Sequence, residues 1–216
     1  METKNGNKLT RAFMLLGVTV IFSLLTFFVD RQPVGLEGTS VGFANLNSTF
    51  AGRFGYNAAM GKISDVAMIF AFLVVAFFAA MGLKMLIKEK SLSKVDKVII
   101  GLGVLYVVVA VLYVVFSKVP INYRPVMKPG ETELETSFPS THTLIIGTVL
   151  GSGILAVKRL FKDEKITKTV TIVFSVIIVV GIAARLFSGV HWVTDILAGI
   201  LFSMTLVSFY AAWCLD

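Results

Sequence analysis

The stretch VIIGLGVLYVVVAVLYVVFS, residues 98–117, decides the fold class of this chain. It contains twenty consecutive residues without a charged side chain. An α-helix rises about 1.5 Å per residue, so about twenty residues cross the ~30 Å hydrocarbon core of a bilayer. The stretch therefore predicts a transmembrane helix, and the charged residues Lys97 and Lys118 flank it on the two sides.

The same pattern recurs along the chain, where long apolar runs alternate with short charged ones. Of the 216 residues, 56% are hydrophobic and 15% are charged, whereas soluble domains carry about 25% charged residues. We therefore predict an all-α, polytopic membrane protein that forms one domain over residues 1–216, with six transmembrane helices in one bundle. The predicted helices cover about residues 12–29, 65–87, 98–117, 141–157, 169–187 and 195–213.

The first apolar run differs from a secretory signal peptide in two respects. It is longer than the usual apolar core of about 7–15 residues, and no A-x-A cleavage site follows it. We therefore interpret this run as a helix that is retained in the protein.

The lysine and arginine residues predict the orientation, because they are enriched in cytoplasmic loops. The N-terminal segment and the segments 84–97 and 158–168 contain 13 of the 20 lysines and arginines. Both termini are therefore expected in the cytoplasm, and the loops 30–64, 118–140 and 186–194 on the outer face. The compact size and the absence of targeting signals favour a bacterial cell membrane.

The net charge of +7 is mostly a consequence of this topology. Basic proteins often bind nucleic acids, but here no soluble basic domain carries the charge. We therefore expect the bilayer and a lipid as partners, and no nucleic acid.

The first outer loop contains an apolar pattern of helical period. Phe43, Leu46, Phe50 and Phe54 recur at offsets of three and four residues, which predicts a short amphipathic helix. This helix either lies in the membrane interface or packs over the bundle, and the pattern is compatible with both; the fold prediction adopts the interfacial helix. Asn47 begins an Asn-Ser-Thr glycosylation sequon, but such triplets are common.

Several ionisable residues of the outer segments are expected at one membrane face. The only two histidines of the chain, His142 and His191, lie near the predicted ends of helices four and six. Ionisable groups at membrane depth are costly, which makes them candidates for function. Further polar residues at the same level are Lys118, Arg124, Ser140, Arg185 and Asp195.

The spacing of these residues indicates what they can do. His191 and Asp195 are four residues apart, and hence one helical turn apart on one face. A carboxylate at that distance can accept a hydrogen bond from one imidazole nitrogen, which leaves the other nitrogen as a nucleophile or base. Arg185 can point into the same pocket, and Arg124 and Lys118 add two cations. Three cations beside two histidines suit an anion with several oxygens, such as phosphate.

The segment FPSTHT, residues 138–143, has a predicted role at the start of the fourth helix. Ser140 is a good N-cap, and the free N–H groups at a helix N-terminus bind phosphate. His142 would then lie within one turn of the anion, where it can give a proton to a leaving oxygen. Taken alone, the segment is better explained as ordinary capping, and only its combination with the other polar residues favours a site.

Together these residues resemble three motifs of the type-2 phosphatidic acid phosphatase superfamily, which also includes the vanadium haloperoxidases. The family motifs are K-x6-R-P, P-S-G-H and S-R-x5-H-x3-D. The corresponding stretches are KVPINYRP at 118–125, PSTH at 139–142 and ARLFSGVHWVTD at 184–195. The resemblance extends over all six predicted helices by topology.

The resemblance implies a phosphomonoesterase or pyrophosphatase that needs no metal and no other cofactor. It implies that His191 is the nucleophile and forms a phosphohistidine, that Asp195 orients it, and that His142 protonates the leaving group. The residues implied to bind the phosphoryl oxygens are Lys118, Arg124, Ser140, Thr141 and Arg185.

The chain departs from the family motifs at three points. Thr141 replaces the usual glycine, Ala184 replaces the usual serine, and five residues instead of six separate Lys118 from Arg124. One residue rotates a helix by about 100°, so Lys128 is an alternative to Lys118, although we prefer Lys118.

The sequence contains no acidic cluster with the spacing of metal ligands, and we expect no metal site. An acidic run does occur in the second outer loop, but we interpret it as a solvated loop. It consists of Glu131, Glu133 and Glu135.

The leading hypothesis is a metal-independent lipid phosphatase at the outer membrane face. Its substrate would be a lipid phosphate or diphosphate, such as undecaprenyl diphosphate, phosphatidylglycerophosphate or phosphatidic acid. One alternative is a lipid-linked phosphotransferase with the same histidine intermediate. Another is a non-catalytic transporter of anionic lipids, which is disfavoured because we find no inverted repeat and because the polar residues gather at one face instead of the midplane.

Overall fold

Seven α-helices make up most of the chain in the computed structural model, which describes residues 2–214 and the side chains from residue 6 onward. The helices are α1 (Glu2–Phe28), α2 (Ala44–Phe54), α3 (Ala58–Glu89), α4 (Lys97–Lys118), α5 (Thr141–Leu160), α6 (Glu164–Phe187) and α7 (Val193–Cys214). All except α2 are long and apolar enough to cross a membrane. Residues 2–214 contain no β-strand beyond two isolated bridges. The predicted all-α architecture with six spans is therefore confirmed.

Polar side chains fix the starts of four membrane-spanning helices. Asn57, Asp96, Ser140 and Asp163 precede α3, α4, α5 and α6, and each side chain accepts hydrogen bonds from N–H groups of the first turn. These bonds satisfy donors that a helix leaves unpaired. Because Asn57 caps α3, that helix begins at Ala58, well before the predicted residue 65.

α5 is the central helix of the bundle and packs against α3, α4, α6 and α7. It has the largest buried share of the six spans. Small residues allow the close approach of its neighbours: a Cβ atom at Gly147 would lie 2.6 Å from the Oγ of Ser203 on α7. The first turn of α5 therefore lies in the middle of one end of the bundle, where α4 and α6 end and α7 begins.

The outward faces of the peripheral helices are apolar. Phe13, Val18 and Ile21 of α1 are exposed, as are Val66 and Phe72 of α3. Soluble proteins rarely expose apolar surface so continuously, whereas helices that face lipid do. The chain is therefore a multi-pass membrane protein.

α2 forms in the loop between α1 and α3, where the apolar pattern predicted it. Leu46, Phe50 and Phe54 are partly exposed, as an interfacial helix requires. Phe43 stacks on Phe22 of α1 and Phe54 contacts Phe187 of α6, so the same pattern also packs against the bundle. Asn47 is fully buried, on the side of α2 that faces the bundle. Its amide donates to the Thr194 hydroxyl (2.9 Å) and accepts from the Thr194 N–H (3.3 Å). The sequon asparagine therefore anchors α2 to the start of α7 and is not accessible for glycosylation.

Candidate active site

Arg185, His191 and Asp195 come together where α6 ends and α7 begins, as their spacing predicts. All three are buried. Arg185 Nη2 donates to His191 Nε2 over 3.2 Å. An arginine can only donate, so His191 Nε2 carries a lone pair and the proton of the neutral imidazole lies on Nδ1. That nitrogen is 3.5 Å from Asp195 Oδ2.

The loop before His191 is held against the connection between α2 and α3. Gly189 has a φ of +72°, and a Cβ atom there would lie 1.9 Å from the Gly55 carbonyl oxygen. Only glycine fits a positive φ and so close an approach. The Asn57 N–H also donates to the Ser188 carbonyl (3.0 Å). These contacts fix the path of the chain directly before the histidine.

The Asp195 carboxylate is fixed by two donors. Asn122 Nδ2 donates to Oδ1 over 3.2 Å, and the Trp192 N–H donates to Oδ2 over 3.0 Å. The backbone carbonyl of Asp195 accepts from the Ser140 N–H (3.0 Å), which ties the start of α5 to the start of α7. Asn122 is fully buried. The sequence does not predict it as a site residue, because no sequence pattern indicates that this loop asparagine reaches α7.

The pKa of His191 lies well below its ordinary value. Burial is the main cause, because it penalises the charged form, and the cations Arg185 and Arg124 act in the same direction. The imidazole is therefore neutral near pH 7, and its Nε2 lone pair is available as a nucleophile.

The second histidine lies in the first turn of α5. Ser140 is fully buried, and its hydroxyl accepts from the Thr143 N–H (3.5 Å), which confirms the predicted N-cap. His142 Nε2 lies 2.8 Å from Asp65 Oδ1 of α3. Asp65 was not predicted as a site residue, although a single carboxylate within an apolar span is the kind of costly group that marks function.

The loop between α4 and α5 brings Arg124 and Lys128 to the same end of the bundle. Arg124 forms ion pairs with Glu131 and Glu135, and Lys128 Nζ lies 2.8 Å from Glu131 Oε1. The interpretation of the acidic run as a solvated loop was therefore wrong for Glu131, whose side chain is partly buried against both cations. Glu135 pairs with Arg124 but its side chain stays about half exposed. Glu133 is exposed.

A cavity of about 640 Å³ connects these residues to the apolar interior. Its inner part is lined by apolar side chains of α3, α4 and α5, including Met68, Phe72, Val109, Ile145 and Val149. Its polar end is lined by Arg124, Lys128, Thr141, His142, Arg185 and His191.

Lys118 does not line this cavity. It is exposed at the last residue of α4, whereas the cavity reaches Lys128. The structure thus brings together the predicted residues except Lys118, and of the two candidate lysines it is Lys128 that lines the cavity. The missing residue between Lys118 and Arg124 is the sequence feature that signalled this difference.

Residues 6–214 contain no group of three or more His, Cys, Asp and Glu side chains that could hold a metal ion. A reaction without a metal stays a prediction for activity measurements to test.

Comparisons with known proteins agree with this geometry. The model of the PAP2 superfamily matches residues 101–215, which include all three motifs. A solved structure described as the first transmembrane PAP2 type phosphatidylglycerolphosphate phosphatase from Bacillus subtilis matches with a TM-score of 0.64, at 20% sequence identity and over 93% of each chain. At this identity the match shows a shared fold. No curated protein sequence matches the chain.

Proposed function

Because the chain belongs to the PAP2 superfamily, we propose that it is a metal-independent lipid phosphatase that works through a phosphohistidine at His191. The observation that carries this proposal is the position of His191. It is a neutral imidazole whose Nε2 contacts Arg185, at the polar end of a large apolar cavity.

The phosphoryl group would bind between Arg124, Lys128 and Arg185. The Nε groups of both arginines are buried and have no hydrogen-bond partner in the described structure. A buried donor without a partner costs free energy, which phosphate oxygens would recover. The free N–H groups in the first turn of α5, which follows the Ser140 cap, add further donors. Thr141 also lines the cavity. Its side chain occupies space that the glycine of the family motif leaves empty, and its hydroxyl is one more polar group there.

The first chemical step would be the attack of His191 Nε2 on phosphorus. The bond from phosphorus to the lipid oxygen breaks, and that oxygen takes a proton from the His142 imidazolium. Asp195, next to Nδ1, stabilises the positive charge that develops on the His191 ring. In the second step, neutral His142 takes a proton from water and the water oxygen attacks phosphorus. The bond from phosphorus to His191 Nε2 breaks, its electron pair returns to Nε2, and inorganic phosphate leaves.

The shape of the cavity supports a lipid as the substrate. A soluble phosphate ester would need only its polar end, whereas the apolar lining from α3, α4 and α5 suits a hydrocarbon chain. The polar end also lies opposite the lysine-rich ends of α3 and α5, which the positive-inside rule places in the cytoplasm. We therefore propose that the site opens at the outer membrane face.

The test is phosphate release by the purified protein in detergent with EDTA present. The panel contains undecaprenyl diphosphate, phosphatidylglycerophosphate and phosphatidic acid. Wild type should release phosphate from at least one, and His191→Ala should lose at least about 10³-fold of that rate. A requirement for added metal, or full activity of His191→Ala, contradicts the proposal. A product that appears only with an added acceptor alcohol would indicate the phosphotransferase instead.

A further inference from the structure

Asp65 is an isolated carboxylate in the apolar part of α3. It is the only ionisable residue between Lys62 and Lys84. A carboxylate in a membrane span is costly unless a partner or a function compensates. Its partner is His142 Nε2, at 2.8 Å, although the two residues belong to different helices and lie 77 positions apart in sequence.

We propose that Asp65 is a positioning residue that sets the tautomer and charge of His142 as the general acid and base. This inference rests on the proposed phosphatase function and adds to it a residue outside the three motifs.

The chemistry follows from which nitrogen Asp65 contacts. An ionised carboxylate can only accept a hydrogen bond, here from Nε2–H, so neutral His142 carries its hydrogen on Nε2 and its lone pair on Nδ1. When the ring is protonated, Nδ1–H is the proton that the leaving oxygen takes, and Nε2–H stays bound to Asp65. After the transfer, the same nitrogen has the lone pair that accepts a proton from water. Because Asp65 holds Nε2–H, Nδ1 is the nitrogen that gives a proton in the first step and takes one in the second.

The charges around His142 give Asp65 a second role. Arg185 and His191 line the same cavity end, and Arg185 opposes protonation of a nearby imidazole. Asp65 is the carboxylate that contacts His142 directly, and its negative charge favours the imidazolium that the first step consumes. Its side chain is about half exposed, at 55%, and His142 lines the cavity, so the pair is not sealed within the bundle.

The test compares leaving groups that differ in their need for a proton. The leaving group of phosphatidic acid is diacylglycerol, which departs as an unstable alkoxide unless its oxygen is protonated. The leaving group of p-nitrophenyl phosphate is nitrophenolate, which is stable without a proton. Asp65→Asn should lower kcat on phosphatidic acid about 10²-fold, with KM within about threefold of wild type. The burst of nitrophenolate from p-nitrophenyl phosphate should keep its rate within about threefold. Asp65→Glu should restore much of the lost rate.

The matched control is Lys62→Gln, an exposed position one turn earlier on α3, which should behave as wild type on both substrates. Equal losses for Asp65→Asn on both substrates would mean a merely structural role, and no loss on phosphatidic acid would mean no role; either overturns the inference while the phosphatase function stands. A wild type that releases phosphate from neither substrate would overturn the proposed function itself.

Discussion

The pair His191–Asp195 and the pair His142–Asp65 join the same two kinds of side chain in different ways. In the first, which we call the closed pair, the side chains are 3% and 0% exposed. In the second, the open pair, they are 14% and 55% exposed. The closed pair uses Nδ1 to face its carboxylate, and the open pair uses Nε2.

This difference corresponds to two chemical tasks. A nucleophilic imidazole has to stay neutral until it attacks, and burial in a water-free site favours the neutral form. A general acid and base has to gain and lose a proton in each turnover, which requires contact with water. The closed pair therefore suits the nucleophile, and the open pair suits the proton transfer.

Replacing the carboxylate of the closed pair should have the largest effect. Asp195→Asn removes the carboxylate that lies 3.5 Å from His191 Nδ1, which leaves the developing imidazolium without a counter-charge. We expect kcat to fall by about 10³–10⁴-fold, measured as phosphate release from the best lipid substrate. A smaller loss than for Asp65→Asn would reverse the assignment of the two pairs.

The next prediction concerns the two lysines that compete for the first motif's role. Lys128→Ala should raise KM about tenfold because Lys128 lines the cavity and can bind phosphate oxygens. Lys118→Ala is the matched variant at an exposed position and should leave KM within about twofold. Titration of initial rates against lipid concentration in mixed micelles separates the two. The opposite ranking would restore Lys118 to the site.

The acidic run should have a smaller effect, of opposite sign. Glu131 forms ion pairs with Lys128 and Arg124, so a phosphate that binds these cations has to displace the Glu131 carboxylate. Glu131→Gln should lower KM by about two- to fivefold, within the range for partly exposed ion pairs. Glu133→Gln, at an exposed position of the same loop, serves as control. An increase in KM would mean that Glu131 supports the loop instead of competing with the substrate.

The closed pair can also be examined by spectroscopy. His142→Ala leaves His191 as the only histidine of the chain, so its ¹⁵N resonances are unambiguous. Because burial lowers the pKa of His191, we expect the neutral Nδ1–H tautomer at pH 6.5 and below. The same shift has a consequence for stability: the unfolded chain takes up a proton near pH 6.5 and the folded chain does not, so stability falls as the pH drops below that value. A titration midpoint at the ordinary value would show that His191 is not sealed from water.

The sequence predicted the closed pair but not the open one, for a physical reason. Arg185, His191 and Asp195 lie within eleven consecutive positions, and the short turn between α6 and α7 keeps them together although His191 itself is not helical. Ser140 as an N-cap and the six apolar runs, whose length alone predicts spans, are local in the same way.

Asp65 and Asn122 reach the site only through the packing of α3 and of the second outer loop, which no local pattern encodes. Lys118 lies outside the cavity lining and Lys128 within it, because the path of a proline-containing loop, and not a helical period, places the cation.

The central claim is that His191 Nε2 forms a covalent bond to phosphorus. The direct measurement is rapid quench of the purified protein with p-nitrophenyl phosphate, followed by mass spectrometry of the peptide that contains His191 under alkaline conditions. The account predicts a phosphohistidine at His191, formed at the rate of the nitrophenolate burst and absent in His191→Ala. A burst without a phosphorylated histidine, or a phosphoryl group on another residue, would contradict it.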